Sequence, residues 1–112
     1  MSRLICASVD LLEGGDGLRF QVDTPAGAAQ AFVLRWRGGV HAFYNRCAHV
    51  PVELDWNPGK FLTENGEYLV CAMHGALFEP DGGVCVGGPC AGRALEALTV
   101  SERDGNVYLE DF

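Results

Sequence analysis

Turn signals interrupt this sequence so often that no long helix fits between them. Of its 112 residues 15 are glycine, most of them between short apolar runs, the pattern of tight turns joining short strands. Leu4 to Ser8 is a short apolar run, and Leu18-Arg19-Phe20-Gln21-Val22 alternates apolar with polar, the period of a half-buried strand. Ala28 to Arg37 suits a sheet, with Gly38-Gly39 as a two-residue link to Val40–Tyr44. Asn65-Gly66, between Phe61–Glu64 and Glu67–Val70, has the preferred chemistry of a type I′ hairpin. Pro80-Asp81-Gly82-Gly83 joins Ala76–Glu79 to Val84–Val86, and Arg103-Asp104-Gly105-Asn106 separates Leu95–Val100 from Val107–Leu109. The expectation is an all-β antiparallel sandwich or small barrel, with no repeat and no linker dividing residues 1–112.

Composition excludes several functions. No stretch approaches the ~18 apolar residues of a membrane-spanning helix, and the longest apolar run, Tyr68 to Met73, is one strand long. The first residues lack the pattern of a secretory signal, so a cytoplasmic protein is expected. A net charge of −7 argues against nucleic acid. The charge is uneven: residues 1–56 carry five basic and six acidic side chains, residues 57–112 three and nine. Such acidity favours encounter with a basic partner, and serves solubility equally well. Five cysteines is an odd number, which without a signal peptide points to ligands or thiols rather than a disulfide framework.

Two segments carry chemistry. Cys47-Ala48-His49 and Cys71-Ala72-Met73-His74 together read C-x-H-x21-C-x2-H. Each presents one thiolate and one imidazole just after an expected strand. Isolated core cysteines and stray histidines are the plain alternative, but two of only three histidines fall within three residues of a cysteine. Two Cys and two His in isolation fit iron–sulfur or zinc. Zinc fingers usually pair cysteines on one knuckle and histidines on the other; here each knuckle is mixed, which suits a cluster of two unlike irons.

On these residues the chain resembles the Rieske proteins, specifically the small soluble ferredoxins of ring-hydroxylating oxygenases. The likeness runs from the Leu18–Val22 strand to Val107 and takes in His74-Gly75, Phe78, the glycines at 82 and 83, and Gly88-Pro89. The resemblance implies one domain over residues 1–112 with a cluster-binding subdomain of two loops at about 46–90. It implies one 2Fe–2S cluster, with Cys47 and Cys71 on the inner iron and His49 and His74 on the outer. It further implies a one-electron carrier, a monomer, between a flavoprotein reductase and a terminal oxygenase. A non-redox zinc module, or an accessory small subunit of a larger redox complex, stands as the alternative. An oxygenase is not expected, because its mononuclear iron needs two further histidines and only His41 remains.

Respiratory Rieske proteins carry an extra cysteine in each loop, where this chain has Val52 and Met73, and hydroxyls where it has Ala76 and Phe78. Hydrogen bonds from such hydroxyls to the sulfurs raise the potential. Their lack implies a midpoint near the low end of the Rieske range, roughly −150 mV. Gly88-Pro89 suits a loop passing close over the cluster. His41 is expected to be an ordinary strand residue and Cys6 a small buried apolar one. Cys85 and Cys90 are expected as free thiols, Trp36 and Trp56 as packing residues, and Glu53 and Asp55 as solvated charges close to the site.

Overall fold

Turn chemistry largely dictates which strands pair. The computed structural model describes residues 2–47, 52–55, 57–72, 75–88 and 92–110. Among these residues no α-helix occurs, only a 3-10 turn at Ser8–Asp10. The strands are β1 (Ser2–Ala7), β2 (Leu18–Thr24), β3 (Gly27–Trp36), β4 (Gly39–Tyr44), β5 (Leu69–Val70), β6 (Leu77–Phe78), β7 (Cys85–Gly87), β8 (Ala97–Leu98), β9 (Val100–Arg103) and β10 (Asn106–Glu110). They form three antiparallel sheets, in the orders β1-β10-β9, β2-β3-β4-β8 and β5-β6-β7.

The central wall is β3. Ala31, Phe32, Val33 and Leu34 are all fully buried, an unbroken apolar run that marks a strand covered on both faces. Ala31 and Val33 point one way, with Val22 and Ala42, into the two apolar clusters that also hold Val107 and Leu109 of β10. Phe32 and Leu34 point the other way, joining Phe43, Leu54, Phe61, Leu69 and Phe78. Phe32 stacks on Phe61 with centroids 3.9 Å apart. Each fully buried phenylalanine contributes roughly 1.5–3 kcal/mol. This second core lies between the four-stranded sheet and the small β5-β6-β7 sheet.

Three turns depart from the expected detail. Trp36 pairs with Gly39, so the β3–β4 link is Arg37-Gly38, whose positive φ values of 49° and 82° are those of a type I′ turn. At Asn65-Gly66 only the glycine has positive φ. The Asn65 side chain instead accepts from the Thr63 hydroxyl and the Glu67 amide, an Asx-type brace that opens the hairpin into a longer loop between Thr63 and Tyr68. The last hairpin turns at Asp104-Gly105 as expected, but the partner of β10 is β9. The segment read as Leu95–Val100 is divided between β8, on another sheet, and the start of β9.

Candidate metal centre

Two loops grow from strand ends on the second core. After β4 the chain reaches Cys47, whose amide donates to the Val52 carbonyl at 2.8 Å. After β5 it reaches Cys71, whose amide donates to the Ala76 carbonyl at 2.9 Å. Each cysteine thus closes a loop onto the carbonyl five residues on. Gly75 helps the second closure, donating to the Cys71 carbonyl at 2.9 Å with a φ of +72° that strongly favours glycine. The Ala72 amide donates to the Leu54 carbonyl at 3.0 Å, so the two loops are hydrogen-bonded to each other.

Both cysteines face inward. Cys47 is 2% and Cys71 0% exposed, within the one apolar cluster that includes Leu54, Ala76 and Phe78. Two soft sulfur donors from tied loops, buried in one dry cluster, fit the chemistry of an iron–sulfur group on its buried side. His49 and His74, the other expected ligands, lie outside the described residues, as do Trp56 and Cys90.

The surroundings correct two expectations. Asp55 is not a solvated charge: it is 3% exposed and accepts hydrogen bonds from Arg19, Asn45 and Gly59. Burial alone pushes its carboxyl up, but those donors outweigh it and hold the group below the usual carboxylate range. Arg19 comes from 36 residues away in the sequence, so no local signal reveals the pair. Glu53, by contrast, has a side chain 51% exposed, as expected. The second correction is Cys85, which is disulfide-bonded rather than a free thiol.

The strap after β7 passes over the second loop. A Cβ at Gly88 would lie 2.9 Å from the Ala76 Cα and 3.3 Å from the Gly75 carbonyl oxygen, and its φ of +83° again favours glycine. His41 is half-buried in β4, its ring edge-on to Trp36 with centroids 6.1 Å apart, and Trp36 packs against the second core. Cys6 is partly buried in the β10-side core, and burial raises its thiol pKa. Cys47 also borders a cleft of about 820 Å³ between the β2–β3 turn and the Tyr44–Cys47 segment. Its described lining includes Tyr44, Arg46 and Glu96.

An antiparallel β domain with a buried cysteine in a loop after each of two strands is an architecture suited to holding a thiolate-ligated metal group. The family model of the Rieske [2Fe-2S] domain matches residues 3–103, and the chain belongs to that family. No curated protein matches the chain. Among solved structures, one described as a complex of reduced oxygenase and oxidized ferredoxin in carbazole 1,9a-dioxygenase is similar at 25% identity and a TM-score of 0.72, covering 96% of this chain and 91% of that one. The ferredoxin of carbazole 1,9a-dioxygenase from Nocardioides aromaticivorans IC177 is similar at 20% identity and a TM-score of 0.77, covering 97% and 96%. A third, from an oxygenase and ferredoxin complex of carbazole 1,9a-dioxygenase, matches at 20% identity and a TM-score of 0.77, this chain spanning only 28% of that one. No helix among the described residues is long and apolar enough to cross a membrane.

Proposed function

We propose that the chain is a one-electron carrier of low potential, a single domain over residues 1–112 whose cluster-binding part is about 46–90. The observation that carries this is the pair of tied loops bringing Cys47 and Cys71 into one buried apolar cluster, within a match to the Rieske domain. Cys47 and Cys71 would hold one iron from the core side, and His49 and His74 the other. When bound, a [2Fe–2S] group supplies one-electron oxidation and reduction. The protein's part is to fix the ligands, keep water from the sulfurs with Leu54, Ala76 and Phe78, and present a docking face.

The similar complex pairs a ferredoxin with the oxygenase of carbazole 1,9a-dioxygenase. By analogy this chain works as a cytoplasmic monomer between a flavoprotein reductase and a terminal oxygenase. The excess of nine acidic over three basic side chains in residues 57–112 favours a basic docking face on a partner.

Anaerobic reconstitution with iron and sulfide tests the reading. The expected product is brown, bleached by dithionite, with about two irons per chain and the reduced-state EPR signal of a mixed nitrogen- and sulfur-ligated centre. Cys71→Ala and His74→Ala should each lose most of that iron. A colourless protein holding zinc overturns the carrier in favour of a structural module.

A further inference from the structure

A dense polar assembly among the described residues joins the stems of the first loop to β2. The Asp55 side chain is fully shielded from solvent. Arg19 grips it with a fork, Nε to Oδ2 at 2.7 Å and Nη2 to Oδ1 at 2.7 Å. Asn45 Nδ2 donates to Oδ1 at 2.9 Å and the Gly59 amide to Oδ2 at 2.9 Å. Asn45 also donates to Gln30 Oε1 at 3.0 Å, and its Oδ1 accepts the Leu54 amide at 2.9 Å.

The connectivity gives this assembly a purpose. Asn45 stands two residues before Cys47, and Leu54 two residues after Val52, where the first loop closes. The Leu54 carbonyl accepts the Ala72 amide, beside Cys71. One network therefore grips both stems of the first loop and reaches the second through a single further hydrogen bond. Exposed ion pairs contribute little and position nothing; a forked pair around a shielded carboxylate with every acceptor site used is a rigid element. Among the described residues, the one further charged side chain paired with this group is Glu53, 3.7 Å from Arg19 Nη2 and half exposed.

We infer that Arg19, Asp55 and Asn45 form a positioning assembly that fixes the Cys47 loop against the Cys71 loop and, through the opposed charges of Arg19 and Asp55, sets the potential of the group those loops hold. The inference rests on reading the loops as a cluster site. The sign of each charge effect follows from Coulomb's law. A positive charge nearby favours the added electron and a negative one opposes it.

Redox titration at pH 8 of the reconstituted protein, with Arg19→Met and Asp55→Asn, is the test. Arg19→Met leaves the carboxylate unbalanced and should lower the midpoint. Asp55→Asn leaves the guanidinium only the half-exposed Glu53 as a described counter-charge and should raise it. Each should change the reduced-to-oxidised ratio at fixed potential by about threefold or more. Shifts in the same direction, or none, overturn the electrostatic role.

Amide hydrogen exchange on the purified chain tests positioning independently of iron. Both variants should speed exchange at Leu54, Gly59 and Ala72 while leaving β10 unchanged; equal rates overturn the assembly. Should Arg19→Met fail to fold, Arg19→Lys, which keeps the charge and loses the fork, should hold the midpoint and still speed exchange at Leu54. A wild-type chain that binds no cluster but shows the exchange changes keeps the brace and refutes the carrier. A loaded wild type with unresponsive variants does the reverse.

Discussion

Cys47 and Cys71 stand in equivalent positions: each donates its amide to the carbonyl five residues on, Val52 in one loop and Ala76 in the other, at 2.8 and 2.9 Å. The same backbone device is thus built twice at the ends of unrelated strands, and Ala72 to Leu54 ties the copies together. These backbone bonds close each loop on itself, while the Arg19, Asp55 and Asn45 side chains hold the stems of the first, so a buried side chain that takes part in neither is where the site can be tuned rather than destroyed.

Ala76 offers the clearest tuning position. It is fully buried in the cluster that holds both cysteines. Ala76→Ser puts a donor near the sulfurs, where a hydrogen bond favours the reduced state. The expected rise is about 60 mV, the one-electron equivalent of ~1.4 kcal/mol. Redox titration measures it, and a fall or no change refutes the argument.

Gly88 guards the second loop. Gly88→Ala places a Cβ 2.9 Å from the Ala76 Cα, against backbone that cannot swing aside, and at a φ that alanine resists. A loss of about 1–3 kcal/mol is expected, with faster bleaching of the reconstituted protein in air. Urea denaturation and the decay of visible absorbance read the two effects; a chain as stable and as slow to bleach as the wild type contradicts the close approach.

Gly17 tests the second core without touching the loops. A Cβ there would sit 2.6 Å from Phe61 Cδ2 and 3.2 Å from the Val33 carbonyl oxygen. Phe61 is wedged against Phe32, so it has little room to yield. Gly17→Ala should cost about 1–3 kcal/mol in chemical denaturation, and Gly17→Ala with Phe61→Leu should recover part of it. Additive losses in the double variant would show that the clash is not the cause.

Glu102 governs part of the acid stability. Arg35 Nη1 donates to its Oε1 at 2.9 Å and Nη2 to its Oε2. The hydrogen bonds from Arg35, opposed by burial, lower its pKa from 4.5 to about 2. A depressed carboxylate contributes stability that is fully present above its unfolded value, ~4.3, and lost as pH falls toward the folded one. Glu102→Gln should therefore be less stable at neutral pH and lose stability less steeply between pH 4.5 and about 2. Denaturation across that range measures the slopes; parallel curves refute the assignment.

Much of this was readable from residue order. Gly105, Gly82 and Gly83 mark real turns, and the spacing of Cys47 and Cys71 places each just past a strand. What escaped depends on distance along the chain. The burial of Asp55 follows from Arg19, far off in β2, and an isolated Glu53-Leu54-Asp55 looks like surface. At Asn65-Gly66 a side-chain hydrogen bond from Thr63 competes with the two-residue hairpin that the dipeptide by itself implies. The β8–β9 division was hidden because Leu95 to Val100 reads as one run although two sheets share it.

The burial of β3 on both faces has a cost for the molecule's tolerance of change. A lesion at Phe32 or Val33 cannot be confined to one half: damage on the side of Cys47 and Cys71 loosens the wall that the opposite sheet leans on, and the reverse. Variation therefore has room in the exposed turns and along the rim, while the middle strand must be inherited nearly whole.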